Sequence, residues 1–156
     1  MPMSQSSTII VKQATLEQLE EVVQLFDAWR VFYGQPSDPE GARSFLFDRF
    51  EHSESVIFLA IDQVSGQAVG YTQLFPVFSS ISMKRSWILN DLYVDESFRG
   101  RGAAQLLLDQ VKRFGGLTKA KGIELSTAPD NLRAQALYEK NGYKRDEEFL
   151  HYFLTL

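Results

Sequence analysis

The sequence predicts an α/β (α+β) fold, in which helices and strands alternate along 156 residues. Apolar residues recur at helical spacing in some segments and form short runs of β-branched and aromatic residues in others. Hydrophobic residues make up 44% of the chain and charged residues 23%, which is ordinary for a folded domain. No linker, repeat or low-complexity tract divides the sequence, so we expect one domain over residues 1–156.

The first third of the chain predicts a strand and two helices. Residues 8–13 are rich in β-branched side chains and predict a short strand. Thr15, with Gln18 three residues later, has the pattern of a capping box and predicts the start of a helix. Asp38 followed by Pro39 predicts the cap and first turn of a second helix, which continues to about residue 51.

The middle of the chain predicts a hairpin, a buried strand and a helix. Residues 56–62 and 68–77 are typical of an antiparallel hairpin around Ser65 and Gly66, and residues 78–82 predict a loop. The apolar run 87–94 predicts a strand that is buried on both faces. A helix follows, because apolar residues recur at three- and four-residue spacing from Ala103 to Phe114.

The last third of the chain predicts a strand at residues 122–127, a helix at about 131–140 and terminal strands within 143–156. The order of elements is therefore one of strands interleaved with helices from beginning to end.

A glycine-rich turn between the buried strand and its following helix is the most informative segment. Gly100 and Gly102 lack a Cβ, so the backbone can curl tightly and bring its N–H groups to an anion at the helix N-terminus. Arg99 and Arg101 add charge-assisted donors. The turn predicts a pyrophosphate site; the alternative is a solvated strand-to-helix turn.

Two motifs in the second half resemble those of one enzyme family. Residues 99–104 (Arg-Gly-Arg-Gly-Ala-Ala), after a Leu-Tyr-Val strand, match the acyl-CoA signature Arg/Gln-x-x-Gly-x-Gly/Ala of the GNAT (GCN5-related) N-acetyltransferases. Residues 131–143 resemble the second motif of that family, in which an Asn begins a helix and a Tyr follows seven residues later. Residues 89–94 (Leu-Asn-Asp-Leu-Tyr-Val), just before the signature, are similar to the Glu-Asp-containing strand of the spermidine/spermine (diamine) acetyltransferases. The family resemblance spans nearly the whole chain.

The resemblance implies a fold and a cosubstrate, acetyl-CoA. The fold would be a mixed, mostly antiparallel twisted sheet of six to seven strands with about four helices, splayed between the fourth and fifth strands. The strand that carries the first motif would be bulged, and the pantetheine arm would lie in the opening like an added strand. The residues that the resemblance assigns to acetyl-CoA are Leu92, Tyr93, Val94, Arg99, Gly100, Arg101, Gly102, Ala103, Ala104, Asn131 and Tyr138.

Two of these positions carry catalytic roles in the family. An N–H near Val94 would polarise the acetyl carbonyl, and a well-placed donor of this kind contributes roughly 3–4 kcal/mol to the transition state. Tyr138 would protonate the departing thiolate, because a hydroxyl with pKa of about 10 suits an anion whose conjugate acid lies near 8.5. Taken without the family, Tyr138 reads as a packed aromatic and Asn131 as the cap of its own helix.

The general base is the open part of the interpretation. The glutamate that deprotonates the amine in the diamine enzymes would fall at Asn90, and an amide cannot do that work. Asp91 matches the family aspartate and is a candidate amine-binding anion or a base acting through water. Adjacent strand residues face opposite sides, so Asn90 and Asp91 cannot share one pocket without a bulge. The alternative for Asp91 is a buried pair with a core arginine.

Aromatic and hydroxyl side chains predict the acceptor side of the site. An amine pocket uses aromatic walls, cation–π contacts and a few polar groups. The candidates, each of which could instead fill the core, are Phe32, Tyr33, Phe75, Ser79 and Ser80, together with Asn90 and Asp91.

Charge and composition limit the partners. Residues 1–78 hold 4 Lys/Arg against 10 Asp/Glu, and residues 79–156 hold 12 against 10, which would suit a cationic substrate beside an anionic cosubstrate. A net charge of −4 disfavours nucleic acid, and no segment has the pattern of a membrane span or signal peptide. We expect no metal site and a cytoplasmic homodimer. The chain has no cysteine, which excludes a thiol acyl carrier.

The leading interpretation is an acetyl-CoA-dependent N-acetyltransferase that acts directly on a primary amine of a small molecule such as a polyamine or amino acid. A dinucleotide-binding oxidoreductase is disfavoured because Gln105 stands where the third glycine belongs. A non-catalytic acyl-CoA-binding module and an acetyltransferase for protein or peptide amines are the remaining alternatives.

Overall fold

The structure, a computed structural model, describes residues 8–156 and divides into two compact units that we describe separately. The first unit ends at Leu125, and the second is Ser126–Leu156. The first unit is built on a five-stranded sheet with strand order β1-β2-β3-β4-β5. Its strands are β1 (Ile9–Gln13), β2 (Val56–Asp62), β3 (Ala68–Ser79), β4 (Lys84–Val94) and β5 (Ile123–Glu124). Its helices are α1 (Leu19–Phe32), α2 (Pro39–Glu51) and α3 (Ala103–Leu117), and the second unit contributes α4 (Leu132–Lys140).

The predicted α/β class and the mixed, mostly antiparallel sheet are confirmed. The first four strands pair antiparallel with their neighbours in sequence, and β5 pairs parallel with β4. Within residues 8–156, none of the helices combines the length and apolar character that a membrane span needs.

The predicted caps begin the first two helices. The Thr15 backbone N–H donates to Gln18 Oε1 at 2.8 Å, and Thr15 Oγ1 accepts from the Glu17 N–H at 3.3 Å. This capping box opens a single 3₁₀ turn, Leu16–Gln18, that leads directly into α1. Asp38 Oδ1 accepts from the Gly41 N–H at 3.0 Å and starts α2.

Helices cover both faces of the sheet. Ile57 and Leu59 of β2 are buried in one cluster with α1 and α2, to which Tyr71 of β3 also belongs. Their neighbour Phe58 faces the other side, where its ring lies 5.4 Å from that of Phe114 of α3. The two-residue alternation of the strand thus supplies apolar side chains to both layers.

A bulge interrupts β4 at Asn90. Gln73 of β3 pairs with Asp91, but the next residue, Leu74, pairs with Leu89, so Asn90 has no partner residue in β3. Leu89 and Asp91 therefore lie on opposite faces of the sheet although they are two residues apart.

The expectation of six to seven strands is wrong, because the described chain forms five. Of the predicted strand 122–127, only Ile123 and Glu124 pair, with Trp87 and Ile88 of β4. The bulge explains this short pairing, since it bends β4 two residues after Ile88.

The terminal strands expected within residues 143–156 are also absent from the described second unit, which holds one helix and no strand. A strand needs a partner ladder for its backbone groups. Without that ladder, the apolar side chains Phe149, Leu150, Tyr152, Phe153 and Leu154 are 70–92% exposed.

A close approach between β3 and β4 yields a stability prediction. A Cβ built at Gly70 would lie 2.9 Å from the Tyr93 carbonyl oxygen and 3.3 Å from Val94 Cγ2, so Gly70→Ala must push the end of β4 away. We expect the free energy of unfolding in urea to fall by about 1–3 kcal/mol.

Gly116→Ala is the matched control, because a Cβ there meets no atom within 4 Å and the position is helical. This substitution should raise the free energy of unfolding by about 0.5–1 kcal/mol. Equal stability of Gly70→Ala and the natural protein would contradict the close approach.

Candidate active site

The end of β4 has an open edge on the side away from β3. The Asp95 N–H donates to the Val69 carbonyl at 2.7 Å, so these two residues form a hydrogen-bonded pair. Because backbone groups alternate in direction along a strand, those of Leu92 and Val94 point away from β3. β5 pairs with β4 only at Trp87 and Ile88, and no other strand of the described residues covers this edge.

Tyr93 does not share this backbone role. It is paired with Tyr71, two residues from the Val69–Asp95 pair, so its N–H and C=O point into the ladder with β3. The expectation that all three residues 92–94 offer backbone groups is therefore wrong for Tyr93, which presents only its partly buried ring.

The glycine-rich turn has the conformation that the sequence predicts. Gly100 and Gly102 have φ values of +79° and +83°, a region that favours glycine, and an added Cβ at either would meet no atom within 4 Å. Gly102 is the N-cap of α3 and has no side-chain cap. The first-turn N–H groups of Ala103 and Ala104 have no intrahelical acceptor. The turn is thus open and presents donors suited to a phosphate.

Arg99 and Arg101 flank this turn and have no acidic partner in the described part of the chain. Arg99 Nε donates to the Val94 carbonyl at 3.1 Å. Its guanidinium lies 5.6 Å from the ring centroid of Phe32 and 5.7 Å from that of Tyr93. Arg99 therefore ties the end of α1 to the end of β4, whereas Arg101 lies 4.8 Å over the ring of Phe98.

Asp91 is buried, with 1% of its surface exposed, and is held by three neutral donors. Oδ2 accepts from the Tyr71 hydroxyl at 2.8 Å and from Gln73 Nε2 at 2.9 Å, and Oδ1 accepts from Asn90 Nδ2 at 2.6 Å. We call these four residues the Asp91 cluster. The alternative of a buried arginine partner is wrong, because Asp91 makes no ion pair within residues 8–156.

Burial raises the pKa of the Asp91 carboxyl above its ordinary value, although the hydrogen bonds from Asn90, Tyr71 and Gln73 act in the opposite direction. The pKa of the Tyr71 hydroxyl is raised well above its ordinary value by burial and by the charge of Asp91. The cluster is a buried polar network with no fixed cation.

The bulge explains how Asn90 and Asp91 meet. The sequence alone leaves them on opposite faces, but the extra residue turns the exposed Asn90 so that its amide reaches the buried carboxylate. Sequence reasoning missed Tyr71 and Gln73. The available signal was a glutamine inside an otherwise apolar run, because a buried polar side chain requires a partner.

Three of the predicted acceptor residues lie on the elements around this cluster. Phe32 and Tyr33 are 62% and 56% exposed at the end of α1, with ring centroids 5.3 Å apart. Phe75 lies on β3 two residues from Gln73 and therefore on the same face.

Ser79 and Ser80 lie elsewhere. They are at the far end of β3, where Ser79 Oγ accepts from the Ser82 N–H at 3.3 Å in the turn. At about 3.3 Å per residue they are roughly 20 Å from Gln73 along the strand. The structure therefore does not bring these two serines together with Asp91.

Asn131 and Tyr138 belong to the second unit. Asn131 Oδ1 accepts from the Ala134 N–H at 3.1 Å and caps α4, as its structural interpretation predicts. Tyr138 lies seven residues later, about two turns along the helix and so on the same side. Its ring makes an edge contact with Tyr143, at 5.8 Å between centroids.

The described residues contain no group of three His, Cys, Asp or Glu side chains arranged to bind a metal ion.

Comparisons with known proteins agree with this architecture. The family model described as "Acetyltransferase (GNAT) family" matches residues 22–143. The uncharacterized N-acetyltransferase YhfO of Bacillus subtilis is 44% identical over 146 residues, which are 94% of this chain and 97% of that protein. A crystal structure of a probable acetyltransferase, also 44% identical, superposes with a TM-score of 0.90 over 94% of this chain and 97% of that one. The D-amino-acid N-acetyltransferase HPA3 of Saccharomyces cerevisiae is 28% identical over 89% of this chain and 87% of its own.

The raised pKa of Asp91 predicts a pH-dependent stability. A carboxyl whose pKa is raised on folding stabilises the fold below its unfolded pKa, and this contribution is lost as the pH rises through the folded pKa. The side chain of Asp91→Asn does not ionise. The melting temperature of this variant minus that of the natural protein should therefore increase as the pH rises from 4 to 8. Calorimetry across this range measures the difference.

Asp62→Asn is the matched control with the opposite sign. Hydrogen bonds from Ser65 and Thr8 lower the pKa of Asp62, so its ionised form stabilises the fold above the unfolded pKa and that contribution is lost as the pH falls. The melting temperature of Asp62→Asn should therefore fall further below that of the natural protein as the pH rises towards neutral. The same pH trend in both variants would contradict our assignment.

Proposed function

Since the chain belongs to the acetyltransferase (GNAT) family, we propose that it transfers the acetyl group of acetyl-CoA directly to a primary amine of a small molecule. The observation that carries this proposal is the open edge of β4, which leads through two left-handed glycines with free surroundings into the uncapped start of α3. An extended arm ending in a pyrophosphate fits that sequence of features.

The residues present suit acetyl-CoA. Leu92 would bind the pantetheine arm through its outward backbone groups, and residues 99–104 would hold the pyrophosphate. In the second unit, Asn131 would bond the pantetheine arm in addition to capping its helix. Acetyl-CoA supplies the thioester, and the Val94 N–H would stabilise the oxyanion that forms on its carbonyl, a contribution of roughly 3–4 kcal/mol.

The acceptor must reach the thioester as a neutral amine, although alkyl ammonium groups have pKa values near 10. Asp91 would attract the cation and take its proton, and the exposed rings of Phe32 and Tyr33 would line the approach. The amine nitrogen then bonds to the acetyl carbon, the C–S bond breaks, and the nitrogen loses its second proton to give the amide. Tyr138 would protonate the thiolate and would regain a proton from the one that the nitrogen releases. With no cysteine in the chain, no thiol acyl-enzyme forms.

Small amines are the acceptor class we favour. HPA3, whose name gives D-amino acids as acceptors, supports an amino acid or a similar metabolite, and the resemblance to diamine acetyltransferases supports a polyamine. The two amine classes share a cationic nitrogen that Asp91 would attract.

A non-catalytic acyl-CoA-binding module is the second candidate. The specific observation in its favour is that Asp91 is 1% exposed and that an amide, Asn90, stands between it and solvent. Such a module would bind CoA and would acetylate no amine.

We also propose a homodimer. The exposed apolar side chains of residues 149–154 support it, and a molar mass of twice 17.8 kDa by light scattering would test it.

The catalytic proposal is tested by thiol release from acetyl-CoA with a panel of polyamines, amino acids, aminoglycosides and lysine peptides. Because the chain has no cysteine, a thiol reagent reports free CoA alone. Tyr138→Phe should lower kcat by about 10²–10⁴-fold, since it removes the acid that protonates the thiolate.

Tyr143→Phe is the matched control, because it keeps the edge contact between the two rings and should leave kcat unchanged. Tight CoA binding with no thiol release across the panel would favour the non-catalytic module. Full activity of Tyr138→Phe would refute the acid role.

The cosubstrate site is tested by calorimetric titration with CoA and with pantetheine, which lacks the pyrophosphate. Arg101→Gln should weaken CoA binding by about tenfold or more, because a hydrogen bond to a charged group is worth about 1.5–3 kcal/mol. Pantetheine binding should not change. Arg113→Gln, on the exposed surface of α3, should affect neither ligand. Equal weakening of both ligands would argue against a pyrophosphate contact.

A further inference from the structure

We infer that Tyr71 and Gln73 are positioning residues that allow Asp91 to take up the proton of the acceptor amine and to release it again. The inference rests on the proposed acetyl transfer and assigns a role to two residues that the family motifs do not include.

Within residues 8–156, no fixed cation lies beside Asp91. A carboxylate beside an arginine or lysine is held in its ionised form, because the positive charge stabilises the anion. Asp91 is instead bound by a hydroxyl and two amides, all neutral. Nothing in the described part of the chain therefore locks Asp91 in the charged state.

Tyr71 and Gln73 can form hydrogen bonds with Asp91 in both of its protonation states. The Tyr71 hydroxyl donates to Oδ2 and can accept a hydrogen bond from a protonated Oδ2 when the carboxyl is neutral. The Gln73 amide donates through Nε2 at 2.9 Å and carries an acceptor, Oε1, on the same group. An arginine at either position has no acceptor and could not exchange roles.

Gln73 Oε1 is an acceptor that could bind a protonated Asp91. Gln73 is fully buried, and Oε1 has no hydrogen-bond partner. Buried acceptors without partners are rare in folded proteins and call for an explanation. A half-turn of the amide places Oε1 where Nε2 now lies, and it would then accept a hydrogen bond from a protonated Oδ2. The orphaned acceptor thus gains a partner in the protonated state of Asp91.

The two carboxyl oxygens of Asp91 differ in their access to solvent. Oδ2 faces the buried Tyr71 and Gln73, whereas Oδ1 lies under the exposed Asn90. A proton from the solvent side therefore meets Oδ1 first, and a half-turn of the carboxyl about its Cβ–Cγ bond exchanges the two oxygens, so that the protonated oxygen faces Tyr71 and Gln73. Burial raises the pKa of Asp91 towards the range in which it can accept that proton. Among the titratable or charged groups on the packed elements, Tyr33 of α1 and Tyr93 of β4 act on the Tyr71 hydroxyl, and Arg99 lies over the Tyr93 ring.

The proton balance is simple. One N–H bond of the ammonium breaks as one O–H bond of Asp91 forms, and the lone pair left on nitrogen attacks the acetyl carbon. A second N–H bond breaks as the C–S bond breaks, and this proton replaces the one that Tyr138 gives to the thiolate. The O–H bond later breaks and the proton passes to solvent, which restores the carboxylate. No electrons are exchanged with another group.

Gln73→Met and Tyr71→Phe each remove one donor from the carboxylate and keep the side chain's approximate size. Two measurements apply to both: the ¹³C NMR titration of the Asp91 carboxyl carbon without substrates, assigned with Asp91→Asn, and the pH profile of kcat/KM. Each variant should move the Asp91 titration upward by about one pH unit or more, as expected for a lost hydrogen bond to a charged group. The acid limb of the kcat/KM profile should move by the same amount.

Thr72→Val is the matched control. Thr72 is fully buried and its hydroxyl donates at 2.8 Å to the backbone carbonyl of Asp91, so the variant removes an equally deep hydrogen bond without touching the carboxyl. Neither the titration of the Asp91 carboxyl nor the acid limb of the kcat/KM profile should shift in this variant. Thermal melting confirms that each variant is folded before it is compared.

Three outcomes would overturn the inference. The Asp91 carboxyl could titrate like an ordinary Asp and ignore both variants, or its titration could move while the kinetic limb does not. If the titration moves as expected but no amine is acetylated, the proposed function fails and the proton-acceptor role fails with it. The substrate-free titration thus separates failure of the cluster from failure of the acetyl transfer.

Discussion

One extra residue in β4 determines most of what distinguishes this site. The bulge at Asn90 shifts the register between β3 and β4, so that Asp91 moves to the face of Gln73 and Tyr71 while Leu89 keeps the face of Leu74. The bulge also comes two residues after Ile88, which is the last residue of β4 that pairs with β5. The same bend therefore buries the carboxylate on the sheet face that packs against α1 and leaves the edge at Leu92 and Val94 without a strand.

The position of Asp91 follows from this shift and has an energetic consequence. A buried carboxylate loses its hydration, and the three neutral donors offset only part of that loss, which is why burial is the dominant influence on its pKa. Asp62 shows the opposite balance, since donors from Ser65 and Thr8 dominate and lower its pKa. Two buried aspartates of one sheet thus differ in their response to pH because of their depth and partners.

The sequence predicted those parts of the fold that depend on local chemistry. The capping box at Thr15, the cap at Asp38 and the two left-handed glycines at 100 and 102 are each determined by a few neighbouring residues. The family resemblance implied a bulge in the strand before the glycine-rich turn, but the sequence did not place it at Asn90, because a register shift depends on which residues of two strands face each other. For the same reason Tyr71 and Gln73 were missed, and the terminal strands were overpredicted, since β-rich composition does not supply a partner ladder.

Arg99 connects the two sides of the proposed reaction within the first unit. Its Nε bonds the carbonyl of Val94, whose N–H is the proposed oxyanion donor, and its guanidinium lies over Phe32 at the end of α1. The N–H and C=O of Val94 belong to two peptide planes that meet at its Cα, and both point away from β3. Because Arg99 has no acidic partner in the described residues, nothing else competes for its charge. The residue that the motif assigns to a phosphate thus also contacts the backbone of the proposed oxyanion donor and the aromatic ring that we propose for the acceptor side.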